Sequence, residues 1–120
     1  MKRVLIADDE PIERMIVTRT IQKYFPEELA VVSAVNGREA VEQFFAENCQ
    51  IALLDIEMPG MNGLEAAEQI RERDKNCSII FLTAFDEFNY AKRAIAVRAM
   101  EYLLKPVEDP VSYTHLTLPT

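Results

Sequence analysis

Short apolar runs alternate with helix-period segments along this chain of 120 residues. Val4-Leu5-Ile6-Ala7, Ile51-Ala52-Leu53-Leu54, Ile79-Ile80-Phe81-Leu82 and Tyr102-Leu103-Leu104 are nearly unbroken, the pattern of strands covered on both faces. The pattern predicts strands over residues 3–7, 29–35, 51–54, 78–82 and 101–104. Asp9-Glu10-Pro11 opens the first intervening helix, because acids favour a first turn and proline suits a first position. Ile12, Met15 and Ile16 share one face of it, and Pro26 ends the segment. Asn36-Gly37 turns the chain into a second helix, with Ala40, Val41, Phe44 and Phe45 at i,i+4 spacing. Met58-Pro59-Gly60-Met61-Asn62-Gly63 carries its own turn residues. A third helix follows, with Leu64, Ala67 and Ile70 inward and Arg71 and Arg73 outward. A fourth starts near Asp86 or Glu87 and runs to about Val97. Such alternation makes an α/β fold, a doubly wound parallel sheet of five strands with helices on both faces.

Each unbroken run stops at a polar residue: Asp8-Asp9, Asp55, Thr83 and Lys105. In a parallel sheet these meet at the carboxyl edge, where doubly wound sheets bind ligands. Three clustered carboxylates repel unless a cation compensates them. Mg2+ suits such a set, since it takes one or two carboxylates and completes its shell with water and phosphate oxygens. Lys105 adds a fixed positive charge, Thr83 a hydroxyl, and the small Ala84 leaves room for a phosphoryl group. Attack by the Asp55 carboxylate on phosphorus would give an aspartyl phosphate. Each residue also has a plain structural reading. A strand-end aspartate caps a helix or shapes a turn, a threonine there packs, and Lys-Pro bends the chain. Their joint occurrence at four strand ends favours the chemical reading.

Composition narrows the partners. The length fits one domain, and the net charge is -7. No basic face offers itself to phosphates, so direct nucleic-acid contact by this segment is not expected. No apolar run approaches the roughly 20 residues of a membrane span. The first residues lack a signal-peptide pattern, and Cys49 and Cys77 match no metal or redox spacing. The expectation is a cytoplasmic protein with two reduced thiols and no membrane contact. Residues 111–120 read VSYTHLTLPT and contain no Asp, Glu, Lys or Arg. The string resembles the translation of a transposase-type sequencing adapter. It divides the chain into a domain over 1–109 and a non-native tail over 110–120. His115, the only histidine, falls in that tail, so the chemistry rests on carboxylates, a hydroxyl and a lysine.

Four motifs together resemble the receiver domain of two-component response regulators. They are Val4-Leu5-Ile6-Ala7-Asp8-Asp9-Glu10-Pro11, Leu53-Leu54-Asp55-Ile56-Glu57-Met58-Pro59-Gly60-Met61-Asn62-Gly63, Phe81-Leu82-Thr83-Ala84 and Tyr102-Leu103-Leu104-Lys105-Pro106. The resemblance implies a flavodoxin-like fold with strand order 2-1-3-4-5. It implies that Asp55 accepts a phosphoryl group from a sensor histidine kinase. Asp9, Asp55 and the backbone carbonyl of Glu57 would bind Mg2+ directly, and Asp8 through water. Thr83 and Lys105 would contact the phosphoryl group, and Thr83 and Tyr102 would switch the surface of helix four and strand five. Such a module is not a turnover enzyme; it catalyses only its own phosphorylation and dephosphorylation.

Phe85-Asp86-Glu87-Phe88-Asn89-Tyr90-Ala91 resembles receivers joined to AraC-type DNA-binding domains, which implies transcription regulation by an output domain and a phosphorylation-dependent homodimer in a longer protein. Two departures stand out. Arg98 occupies a helix end where many relatives have glycine. The family's fifth helix, expected from about Asp109 or Pro110, lacks its apolar face, so the receiver reads as C-terminally truncated. Two other readings remain. Glu57, two residues after Asp55, matches the second acid of Mg2+-dependent phosphatases with an aspartyl-phosphate intermediate. A degenerate receiver would be a scaffold only.

Overall fold

The computed structural model describes residues 1–84 and 88–105. Elements alternate as β1 (Lys2–Ala7), α1 (Pro11–Tyr24), β2 (Leu29–Ala34), α2 (Gly37–Ala46), β3 (Ile51–Asp55), α3 (Gly63–Arg73), β4 (Ser78–Thr83), α4 (Phe88–Ala96) and β5 (Glu101–Leu104). All strand pairs are parallel, in the order β2-β1-β3-β4-β5. The strand order is therefore the one that the resemblance implies. β3 and β4 each run one residue further than the apolar runs alone indicate, so that Asp55 and Thr83 close their strands. The start of the fourth helix before Phe88, the expected fifth helix, the tail over 110–120 and His115 all lie outside the described residues.

Strand periodicity divides the core into two layers. Leu5, Ala7, Ala52, Leu54, Ile79 and Phe81 face one side and pack with Phe44 of α2, Leu64 and Ile70 of α3, and Ala94 of α4. Val4, Ile6, Ile51, Leu53, Ile80 and Leu82 face the other side, against Val17 and Ile21 of α1. Local chemistry sets the helix starts. Asn36 Oδ1 accepts from the Glu39 amide, and Asn62 with Glu65 forms a reciprocal capping box.

On the helices, the outward expectation for Arg71 is overturned, and the apolar face shared by Ile12, Met15 and Ile16 is not the buried one. Ile12, Met15 and Ile16 are exposed, and α1 buries Val17 and Ile21 instead. Glu13, Val17 and Ile21 lie four residues apart on one line, and Glu13 pairs with Lys105 at the sheet edge. That pair and the two buried aliphatics orient the helix together. Arg71 is also inward, only 8% exposed. Its guanidinium donates to the carbonyls of Cys77 at 2.7 Å, Val97 at 2.8 Å and Arg98 at 3.3 Å. Carbonyl dipoles at the end of α4 thus replace water around a charge that helical periodicity alone places outside.

Helices α2 and α4 end in the same way. The Cys49 amide donates to the Phe44 carbonyl and the Ala99 amide to the Ala94 carbonyl, with Asn48 at φ 54° and Arg98 at φ 56°. This closure takes a left-handed residue, which asparagine adopts at less cost than arginine. Replacing Arg98 by glycine is expected to stabilise the fold by about 1 kcal/mol, raising Tm by about 4 °C. A thermal melt checks this; an unchanged or lower Tm would show that the backbone there is not strained.

Candidate functional site

Parallel register assembles the site. Ala7 pairs with Leu54, so Asp8 and Asp55 follow one step on, at neighbouring strand ends. The Asp8 amide donates to Ala34, and Asp8 Oδ1 accepts from the Glu10 amide at 3.0 Å, which fixes this carboxylate as α1 begins. Arg14 Nη1 donates to the Asp8 carbonyl at 2.7 Å. Asp8, Asp9 and Asp55 each offer an oxygen within 4.8 Å of the others. Asp8 and Asp55 are buried, and Asp9 is half-buried.

Lys105 enters from the end of β5, where its amide donates to the Thr83 carbonyl at 2.7 Å. Its ammonium lies 2.8 Å from Asp8 Oδ2, 2.9 Å from Glu13 Oε2 and 3.6 Å from Asp55 Oδ2. One cation thus spans the ends of β1 and β3 and the start of α1. Thr83 is fully buried at the adjacent strand end. The half-buried Tyr102 places its ring 6.4 Å from that of Phe81, tilted by 58°.

The loop after β3 is tightly seated. A Cβ on Gly63 would lie 2.0 Å from the Asp55 carbonyl oxygen, and one on Gly37 would lie 2.3 Å from that of Met61. Both glycines therefore let helix starts press against backbone, and Gly63 does so at Asp55 itself. Glu57 follows in this loop, and its carboxylate accepts from the Tyr90 hydroxyl of α4.

The charges do not balance. Burial pushes the Asp55 carboxyl up to about 7; Lys105 opposes the rise, and Asp8 and Asp9 add to it. Burial pulls the Lys105 ammonium down, but its hydrogen bonds to Asp8 and Glu13 outweigh this and leave it raised. Lys105 therefore stays charged while Asp55 is held short of full ionisation near neutrality. A cluster of hard oxygen ligands with surplus negative charge fits a divalent cation.

The structure thus brings together Asp8, Asp9, Asp55, Thr83 and Lys105, the strand-end residues singled out by the sequence. Sequence reasoning missed Glu13, Arg14 and Tyr90. Glu13 had a usable signal, its i,i+4 line with Val17 and Ile21; the partners of Arg14 and Tyr90 had none. The cysteines lie apart, where Cys49 and Cys77 line a cavity of about 340 Å³ at the opposite edge of the sheet. Both thiols are buried and raised by that burial, Cys49 to about 11, which suits inert packing.

Comparison with known proteins shows what this chain is similar to. A family model described as the response regulator receiver domain matches residues 4–116. Chemotaxis protein CheY of Thermotoga maritima is 37% identical over 107 residues, covering 89% of this chain and 88% of that protein. The positive alginate biosynthesis regulatory protein of Pseudomonas aeruginosa is 42% identical over 106 residues. That match covers 88% of this chain but 42% of the relative, so the chain spans less than half of that protein's length. Among solved structures, response regulator TrrA of Thermotoga maritima, in complex with Mg(2+)-BeF, superimposes with a TM-score of 0.79 at 38% identity. The superposition covers 97% of this chain and 93% of that one.

The raised Asp55 pKa has a signed consequence. A carboxyl raised in the folded state binds its proton there more tightly than in the unfolded chain, so ionisation costs stability as pH rises toward about 7. Asp55→Asn removes that cost. In chelator-containing buffer it is expected to raise Tm at about pH 8, with the gain shrinking as pH falls toward about 4. Melts across that range decide; a gain that does not vary with pH would refute the assignment.

Proposed function

The chain belongs to the response regulator receiver domain family, and from that premise we propose that Asp55 is its phosphoacceptor. The observation that carries the proposal is the placement of Lys105 within ion-pair reach of both Asp8 and Asp55, beside three carboxylates with surplus charge. A carboxylate oxygen of Asp55 forms the new bond to phosphorus while the donor's P–N or P–O bond breaks, and the leaving group departs with the bonding electrons. Asp9, Asp55 and the Glu57 carbonyl would hold Mg2+ directly, with Asp8 acting through water. The bound ion supplies positive charge against the phosphoryl oxygens. The Mg(2+)-BeF complex of TrrA supports this reading, since a fluoroberyllate resembles a phosphoryl group in shape and charge.

Lys105 and Thr83 read the product. The ammonium, already 3.6 Å from Asp55 Oδ2, pairs with the added oxygens, and the Thr83 hydroxyl donates to another. Drawing Thr83 toward the phosphoryl group makes room for Tyr102 to turn inward, which shifts the population of the α4–β5 surface. The domain is then a signalling module rather than a turnover enzyme, phosphorylated in the cytoplasm by a sensor histidine kinase. The alginate regulator's extra length supports a further segment beyond the receiver; an output domain that regulates transcription, and dimerisation on phosphorylation, are part of the same proposal. The N-terminal position of the Asp8-Asp9 pair and the match to the receiver family weigh against the phosphatase reading.

Intact mass after incubation with Mg2+ and acetyl phosphate tests the proposal. One added phosphoryl group is expected, absent in Asp55→Ala and absent with chelator. A folded sample that gains no mass and turns over no phosphomonoester would leave only the scaffold reading. Rapid turnover of unrelated phosphomonoesters would favour the phosphatase.

A further inference from the structure

Polar contacts of two different kinds fasten α4 to the rest of the molecule. At its C-terminal end the buried Arg71 guanidinium grips the Val97 and Arg98 carbonyls, and it also holds Cys77 at the start of β4. A delocalised cation in a fixed fork, shielded from water and bonded to the negative end of a helix, is a strong anchor. Elsewhere along the helix, from Tyr90 near its start to Arg93 in its last turn, the contacts lie at the surface. The Tyr90 hydroxyl donates to Glu57, and Arg93 pairs with Glu68, both of these side chains about half exposed. Exposed contacts of this kind break and re-form readily.

Position gives the contrast a use. Glu57 stands two residues after Asp55, in the loop that Gly63 presses against the Asp55 carbonyl. Tyr90 thus ties α4 to the short loop that leaves Asp55. Arg71 ties the far end of the helix to the α3–β4 turn, at the opposite edge of the sheet.

We propose that α4 is a lever that pivots on Arg71 and is latched to the acceptor loop by the Tyr90–Glu57 hydrogen bond. Tyr90 is then a positioning residue: it acts on the site through Glu57, and the site acts on α4 through the same bond. Coupling of this sort is reciprocal, so a change at Asp55 that weakens the latch is itself favoured when the latch is removed. This link to phosphorylation rests on the reading of Asp55 as acceptor; the pivot and latch do not.

Site-resolved amide hydrogen exchange on the full chain tests the lever. Tyr90→Phe is expected to speed exchange over residues 91–94 about five-fold, the loss of one exposed hydrogen bond, and to leave residues 97–99 unchanged. Arg71→Lys, which keeps the charge but loses the fork, should do the reverse and speed residues 97–99. Arg71→Leu should do so more strongly if it folds. Uniform acceleration in Tyr90→Phe, or none, would overturn the lever. A second arm separates it from the acceptor reading. In wild-type protein whose mass shows the phosphoryl adduct, residues 91–94 should also exchange faster. An adduct with unchanged exchange would sink the coupling and leave the acceptor standing. Absence of an adduct would sink the acceptor, while the Tyr90→Phe arm still decides the lever.

Discussion

The Lys105 ammonium is the contact on which the site depends. It comes from the end of the fifth strand and reaches carboxylates from the first strand end, the third strand end and the first helix. The Asp8 side chain, 3% exposed, is costly to bury without a partner, and so is a buried ammonium. Each makes the other tolerable. Removing either would leave a buried charge alone, which is worse than never having placed the pair there. The hydrogen bond from the Lys105 amide to the Thr83 carbonyl aims this cation, so the edge of β4 and β5 helps to set the geometry at β1 and β3.

One ammonium cannot neutralise all the carboxylates that share it. Asp55 bears the deficit, because it is the most distant of the three partners and is almost wholly buried. The raised pKa expresses that deficit, with desolvation first among its causes. A site short of positive charge is prepared for a divalent ion and for chemistry that passes charge to bound oxygens. The folding cost of that preparation is offset by the two apolar layers of the sheet.

Much of this was legible in the sequence because it is local. Unbroken apolar runs mark buried strands, and a polar residue ending each run lies at a known edge once the strands are parallel. Asp8, Asp9, Asp55, Thr83 and Lys105 could be found in that way. The helix faces were harder. Ile12, Met15 and Ile16 form a believable stripe, but the stripe through Glu13, Val17 and Ile21 wins because it also reaches Lys105. Arg71 looks like a surface residue at a helix end. Its partners, Val97 and Arg98, are 26 and 27 residues away and become visible only when α4 is in place. Tyr90 and Glu57 are 33 residues apart and are joined for the same reason. Side chains whose environment comes from a distant element carry no periodic signal, whereas the glycine position at Arg98 could be read from family resemblance and shows the left-handed backbone expected of it.

Carbon-detected NMR of the Asp55 carboxyl through a pH titration, with and without Mg2+, probes the electrostatic basis of this site most directly. Without the ion, the resonance should titrate near pH 7, and Mg2+ should move the midpoint down by about one unit or more. A midpoint in the ordinary carboxylate range without the ion, unmoved when Mg2+ is added, would contradict the charge deficit at Asp55 and the cation site built on it.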